Sequence, residues 1–499
     1  MSLISITNLT FAYEGSYDNI FENVSFQIDT DWKLGFTGRN GRGKTTFLNL
    51  LMGKYEYSGT ISASVCFQYF PFNYFDKTKA TKEVIGNIRK EYIEWELMRE
   101  LSLLEVDEDV LCRPFCTLSN GEQTKILLAT LFLGEFSFLL IDEPTNHLDA
   151  GGRKIVSKYL SGKSGYILVS HDRAFLDDCV DHILSINKAS IEVQKGNFSS
   201  WFLNKQRQDS FEIEENEKLK KDIKRLKQAA RQSHDWACKV ESTKMGKGAN
   251  NHRKKGHASI DMMVYNAEKS RRMQQHRKNL ERRQNNAIDK KSRLLKNIET
   301  SDSLKLTQLP YIKESYLSLS GVSLFYGQKK VCQDVNLIIE RGDRIALHGK
   351  NGSGKTSLLK LIIGENVSHT GELSKGSGLL ISYVSQDTSH LSGNLADYAM
   401  INEIDESLFK AILRKLDFSR EQFDKDIKDF SGGQKKKVLI ARSLCEKSHL
   451  LVWDEPLNFV DVLSRIQIEQ LLLIHKPTIL FVEHDLMFCE KIATKEVSL

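Results

Sequence analysis

GRNGRGKT, Gly38 to Thr45, and GKNGSGKT, Gly349 to Thr356, decide how this 499-residue chain is read. Both fit the pattern GxxxxGK[ST], in which glycines let backbone N–H groups turn inward around phosphates at the start of a helix. The first copy follows a short apolar strand, WKLGFT at 32–37, and continues as a helix through 46–52. Gly38, Asn40, Gly41, Gly43, Lys44, Thr45 and Thr46 form one candidate nucleotide-binding turn. Gly349, Asn351, Gly352, Gly354, Lys355, Thr356 and Ser357 form the other. Lys44 and Lys355 are expected to reach the β- and γ-phosphates, and the Thr45 and Thr356 hydroxyls to ligate Mg²⁺.

Outward from these turns, three more motifs repeat in the same order at nearly one offset. The two lysines are 311 residues apart. Ser119 and Ser431, in LSNGE and FSGGQ, are 312 apart, as are Asp142 and Asp454 in LLIDEP and LVWDEP; His171 and His484, in VSHD and VEHD, are 313 apart. Four motifs sharing order and offset mark a duplicated domain. Phe138 to Ile141 and Leu450 to Trp453 read as buried parallel strands that end, at Asp-Glu, on an active edge. Asp142 and Asp454 are expected to hold Mg²⁺ through its water shell. Glu143 and Glu455 sit where a carboxylate polarises an attacking water, and His171 and His484 where an imidazole touches the γ-phosphate.

Between the repeats the composition changes. From Lys218 to Lys296 there are 24 Lys/Arg against 7 Asp/Glu, a local charge of +17 in a chain whose total is +6, which leaves −11 for everything else. A solvated surface mixes its signs more evenly, so the segment points to a polyanionic partner. Leu219, Ile223, Leu226 and Ala230 recur at helical spacing; Met273, Leu280, Ala287 and Leu294 recur every 7 residues, with Ile298 one turn on. The pattern predicts two long helices folded back as an antiparallel coiled coil with a basic tip near 244–265. Lys220, Lys221, Lys224 and Arg225 on one helix, with Arg271, Arg272, Arg282 and Arg283 on the other, are the candidate RNA-binding residues.

Bulk numbers restrict the class further. The chain is 40% hydrophobic and has no uncharged apolar run of bilayer-spanning length. Its start, MSLISITNLT, lacks the basic and apolar regions of a secretory signal. The eight cysteines are scattered, and the lone CxxxC at Cys112 and Cys116 has no second pair to complete a zinc site. A reduced cytoplasmic protein is expected.

P-loop, LSGGQ-like signature, Asp-Glu and His in this order resemble the ATP-binding cassette superfamily, over about 1–203 and 314–499. The resemblance implies an α/β fold: two P-loop cassettes in tandem, joined across 204–313 by an α-helical linker. It implies ATP and Mg²⁺ as cofactors and ATP hydrolysis as the activity. Cassettes of this family close head to tail, which sets Lys44 against Ser431, Gly432, Gly433 and Gln434, and Lys355 against Ser119, Asn120, Gly121 and Glu122. Tyr13 and Tyr326 match the aromatic that stacks on adenine. Gln386, in SYVSQ, matches a glutamine that reaches the metal, whereas the aligned first-repeat run Tyr69 to Phe72 offers Phe72.

Two cassettes on one chain, the DEPTNHLD box at 142–149 and the long charged linker resemble the ABC-F group, and within it the Lsa-like antibiotic-resistance branch. That implies a monomer pairing its own cassettes, bound to the ribosome through rRNA and P-site tRNA. The linker would sit near the peptidyl-transferase centre and counter lincosamide, streptogramin A and pleuromutilin drugs. The alternatives are a housekeeping translation factor of the same group or the ATPase component of a membrane transporter. Departures from the family pattern, Asn120 and Glu122 in the first signature and Leu457 and Phe459 in the second DEPLNFVD box, imply two competent but unequal sites.

Overall fold

Apolar runs without polar alternation form the middle of each repeat, because a parallel strand covered on both faces has no wet side. In the first repeat they build a six-stranded sheet in the order Cys66–Phe70, Ser137–Asp142, Tyr166–Val169, Lys33–Thr37, His182–Asn187, Ser190–Lys195. Its neighbours are parallel except the last pair, which is antiparallel. The second repeat builds five parallel strands: Ile381–Val384, Leu450–Asp454, Ile479–Val482, Arg344–His348, Lys495–Ser498. A three-stranded antiparallel sheet accompanies each, of Phe21–Asp29, Leu3–Phe11 and Ser58–Ser62 in one and Lys329–Glu340, Ser315–Tyr326 and His369–Lys375 in the other. This computed structural model describes residues 2–13, 19–72, 76–134, 137–146, 148–187, 190–246, 282, 309–327, 329–350 and 352–499.

The helix after each P-loop is the wedge of its core. Phe47, Leu48 and Leu51 of Lys44–Leu51 pack with Phe21 of the small sheet and Phe36 and Phe138 of the large one. Leu358, Leu359 and Ile362 of Lys355–Ile363 do the same with Val335, Leu347 and Val452. Truncating a buried ring such as Phe47 to alanine costs about 3–5 kcal/mol, enough to threaten the turn it anchors.

Register then fixes the edge at which chemistry can happen. Phe36 and Asp142 both pair with Val169, so the first P-loop, the Asp-Glu step and the His171 turn leave the sheet side by side. In the second repeat Leu347 and Asp454 both pair with Val482. These are the carboxyl ends of parallel strands, where open α/β sheets bind ligands. Each signature motif starts a helix, Asn120–Leu131 and Gly432–Cys445, through a capping box. Ser119 accepts from the Glu122 N–H while Glu122 accepts from the Ser119 N–H, and Ser431 and Gln434 repeat the exchange.

A 49-residue helix, Phe198–Gly246, opens the basic segment. By packing, the chain divides into two units, residues 1–201 with 302–499, and residues 202–301. Lys220, Lys221, Lys224 and Arg225 are exposed on that helix, and Arg282 is helical and exposed. Arg271, Arg272, Arg283, the second heptad run and the tip beyond Gly246 lie outside the described residues, and with them the coiled-coil pairing. Among the described residues no helix is long and apolar enough to cross a membrane.

Two candidate ATP sites

Lys44 and Lys355 are the first residues of their helices, and the glycine before each is the N-cap. Gly43 has φ +91°, and a Cβ there would meet Ile20 Cγ2 at 2.6 Å, so only glycine fits. No side chain caps either helix, which leaves the first-turn N–H groups to an anion. Lys44 Nζ donates to the carbonyls of Gly38 at 2.7 Å and Arg39 at 3.3 Å and to Asn40 Oδ1 at 3.2 Å. Lys355 Nζ donates to the Gly349 and Lys350 carbonyls at 2.8 and 2.9 Å. Burial lowers the pKa of both lysines, opposed by nearby carboxylates: Asp461, Glu143 and Asp142 for Lys44, and Glu455, Asp454 and Asp149 for Lys355.

The metal-binding candidates meet in pairs. Thr45 Oγ1 donates to Asp142 Oδ2 at 3.2 Å, and the Tyr69 hydroxyl donates to the same oxygen at 3.0 Å. Asp454 is fully buried beside the Thr356 hydroxyl, and neither carboxylate oxygen completes a hydrogen bond. Among the described residues no three His, Cys, Asp or Glu side chains gather as a metal cage. A hydroxyl beside a carboxylate in each site, with the Asp454 carboxylate left unsatisfied, fits a hard cation that takes its other ligands from phosphate and water, as Mg²⁺ does.

Glu143 and Glu455 occupy the left-handed backbone region, φ 52° and 45°, with their N–H groups bound to the Val169 and Val482 carbonyls at 2.9 and 3.1 Å. Holding a bulky residue there costs about 1–3 kcal/mol and aims its side chain off the strand end. His171 Nε2 lies 3.2 Å from Glu143 Oε1, and His484 Nε2 lies 3.5 Å from Glu455 Oε1.

The two carboxyls differ in their support. Glu455 Oε2 accepts from Gln386 Nε2 at 2.8 Å and Asn458 Nδ2 at 2.5 Å. Burial pushes its pKa up, but His484, Lys436 and Gln386 outweigh burial and hold it below the ordinary value. Glu143, where Phe72 replaces the glutamine, is pushed up to about 8 by burial and the adjacent Asp142 charge, against the pull of Lys44. Burial, then Lys44 and Arg465, hold the His171 pKa well below normal, so that imidazole is neutral.

The first P-loop lies against the second cassette. Asn40 Nδ2 donates to the Phe459 carbonyl at 2.7 Å, and a Cβ on Gly433 would strike that carbonyl and lie 2.9 Å from Asn40 Nδ2. Arg39 pairs with Asp417, with Arg42 3.8 Å from the same oxygen. Asn351, the counterpart of Asn40, lies outside the described residues, and so does the side chain of Tyr326, which ends the strand Ser315–Tyr326. Tyr13 is 43% exposed, donates to or accepts from Thr46 Oγ1 at 2.8 Å, and stands edge-on to Phe11 and Tyr55.

The family described as ABC transporter matches residues 21–146 and 332–458. The chain belongs to the ATP-binding cassette family. It is a tandem-cassette ATPase of the ABC-F group. A ribosome protection protein of Bacillus subtilis, VmlR, is 26% identical over 98% of this chain and 85% of its own length. ABC transporter F family member 2 of Arabidopsis thaliana is 26% identical over 99% of this chain and 76% of its own. The fold matches the archaeal ribosome recycling factor aABCE1, crystallised with the stalk protein aP1, at TM-score 0.61 and 17% identity, over 98% of this chain and 87% of that one.

Sequence reasoning about this ABC-F chain missed Tyr69, Asn458, Arg39 and the arginines Arg153 and Arg173. Tyr69 had a signal, since it precedes the missing glutamine by three positions and aligns with Tyr383. Asn458 had one too, standing three residues after Glu455 in the DEPLNFVD box, whereas Arg39, Arg153 and Arg173 pair with Asp417, His484 and Glu469, which no spacing rule connects to them.

Proposed function

We propose that this ABC-F ATPase works on the ribosome and protects translation from drugs that bind the peptidyl-transferase centre. One observation carries the reading: a +17 segment joins two cassettes in a chain whose described residues include no helix able to cross a membrane. Such charge favours a phosphate-rich partner read through backbone and shape, and rRNA is the abundant one. The similarity to VmlR, a ribosome protection protein by name, supports the same direction.

In this reading ATP bridges the cassettes and its hydrolysis releases them. Gly38–Thr46 and Gly349–Ser357 hold the triphosphates, each capped from the opposite side by Ser431–Gln434 or Ser119–Glu122. Thr45 with Asp142, and Thr356 with Asp454 and Gln386, hold Mg²⁺, which when bound neutralises phosphate charge. Glu143 and Glu455 take the proton of the attacking water, steered by His171 and His484. Closure sets the posture of the linker, because the nucleotide touches both cassettes only in the closed state.

Cells expressing the chain are expected to tolerate lincosamide, streptogramin A or pleuromutilin drugs better than cells without it, and the protein is expected to sediment with ribosomes rather than membranes. The Glu143→Gln, Glu455→Gln chain should lose turnover and stay on ribosomes in ATP. Ribosome binding without any change in drug susceptibility favours a housekeeping translation factor; sedimentation with membranes favours a transporter subunit.

A further inference from the structure

The two histidine turns are not held alike. The His484 N–H donates to Glu483 Oε2 at 3.1 Å, and its carbonyl accepts from Arg153 Nη1 at 3.3 Å, a side chain of the first cassette. The same nitrogen of Arg153 donates to Asp172 Oδ2 at 2.9 Å, so one guanidinium bridges the residue after His171 to His484 itself. Asp485, buried, caps the helix Leu486–Ile492 by accepting the Phe488 N–H at 3.1 Å. Its other oxygen accepts from Arg465 Nη1 at 3.1 Å and lies 3.8 Å from Arg173 Nη2, again of the first cassette. Arg173 forks onto Glu469, with Nη1 3.2 Å from Oε2 and Nη2 against Oε1; both side chains are 4% exposed.

Within each cassette the pattern repeats, since Arg465 on Asp485 mirrors Arg153 on Asp172 and Asp172 caps its own helix through the Phe175 N–H at 3.1 Å; the crossings to the other cassette are not mirrored. The counterpart of Arg173 is Leu486, half exposed, and that of Glu469 is Ser157, which donates to Asp178. The counterpart of Arg153 is Arg465, whose nitrogens go to Val460, Leu457 and Asp485 of its own cassette. A buried guanidinium–carboxylate fork is not easily let go, since breaking one side leaves a buried charge unpaired.

We infer that Arg173 and Arg153 are positioning residues acting across the cassettes on the Glu455–His484 pair. Turnover at Glu455 then requires the first cassette to stay docked on the second cassette's histidine turn, whereas Arg465, the mirrored arginine, lies near the Glu143 pair but, among the described residues, bonds only within its own cassette. This rests on Glu143 and Glu455 serving separate sites. A misplaced catalytic group loses rate far more than affinity, so the signature is a fall in kcat with KM little changed.

The full chain is tested in two backgrounds, Glu143→Gln to report the Glu455 site and Glu455→Gln to report the Glu143 site. A Glu143→Gln chain whose remaining turnover is absent, or survives adding Glu455→Gln, defeats the site assignment and the inference with it. Given separable sites, Arg173→Leu, the residue found at the mirrored position, is expected to lower kcat at the Glu455 site about 10-fold with KM within about 2-fold. The Glu143 site should keep its rate. Glu469→Gln, which leaves Arg173 in place, should give the same selective loss, and exchanging the charges by Arg173→Glu with Glu469→Arg should recover part of it. Equal losses at both sites, loss only at Glu143, or no loss overturns the inference.

Discussion

Glu143 and Glu455 perform one proposed task from two electrostatic settings. Glu143 is buried beside Asp142 with its carboxyl pushed up to about 8, whereas Glu455 is drawn below its ordinary value by His484, Lys436 and Gln386. A general base must be ionised, so with only the Glu143 site active kcat/KM, which reports the free enzyme, should climb as pH rises through about 8. With only the Glu455 site active, no such limb belongs to the base; matching pH–rate profiles for the two single Gln variants would refute the distinction. The linkage has the opposite sign for stability. An unfolded Glu143 ionises near its ordinary value while the folded one stays protonated, so the folded state loses ground as pH rises toward 8 and Glu143→Gln should raise the Tm most in mildly basic buffer. At this scale the sequence was informative where chemistry dictates spacing, as with Lys44, Thr45 and Asp142. It was silent about Tyr69 on Asp142, a bond across 73 positions, and about Arg173 on Glu469, across 296.

The helices that carry the signatures were legible at their first turn. S-x-x-E and S-x-x-Q are the capping-box spacing, and Ser119–Glu122 and Ser431–Gln434 form those boxes. The strands were legible too, because FLLI at 138–141 and LLVW at 450–453 are uninterrupted apolar runs. The small antiparallel sheets were not, since Leu3–Phe11 and Ser315–Tyr326 mix polar and apolar positions around bulges. The boxes differ in one charge, and that has consequences for the element. Hydrogen bonds from Ser119, against some burial, hold the Glu122 carboxyl below its ordinary value, and an anion at a helix N-terminus is favourable. Glu122→Gln should therefore lower stability by a few tenths to about 1 kcal/mol at neutral pH. The deficit should vanish as acid protonates Glu122, because a depressed carboxyl stabilises above its unfolded pKa and loses that benefit as pH falls through its folded one. If Ser119–Glu122 caps the triphosphate on Lys355, the same change removes a like charge and should tighten ATP there, measured by nucleotide titration of the Glu455→Gln chain. Unchanged affinity would separate the first signature from that nucleotide.

At the scale of the whole molecule, the charge is divided as the proposed work is divided. The basic segment carries +17 and the remainder −11, so electrostatic attraction to RNA concentrates in the part that holds no proposed catalytic residue. The duplication was legible because four motifs kept one offset, and a segment with a different composition between them could be separated from both. How that segment would read the proposed RNA partner was not legible, since charge draws a protein to phosphates without choosing among them. Lys220, Lys221, Lys224 and Arg225 nonetheless permit a clean test, being exposed on a helix outside both cassettes. Each phosphate left without its cationic partner should reduce the slope of log K against log salt by roughly 0.7–0.9. Replacing all four with glutamine keeps helix propensity and length, so ribosome binding should weaken at moderate ionic strength with a slope shallower by up to about 3.6. ATP hydrolysis without ribosomes should be unaffected, because the P-loops, signatures and proposed catalytic carboxylates all lie in the cassettes. Binding that keeps its full salt slope after the four substitutions would move the RNA-binding surface off this helix face, leaving the far side of the linker or the cassettes to supply it.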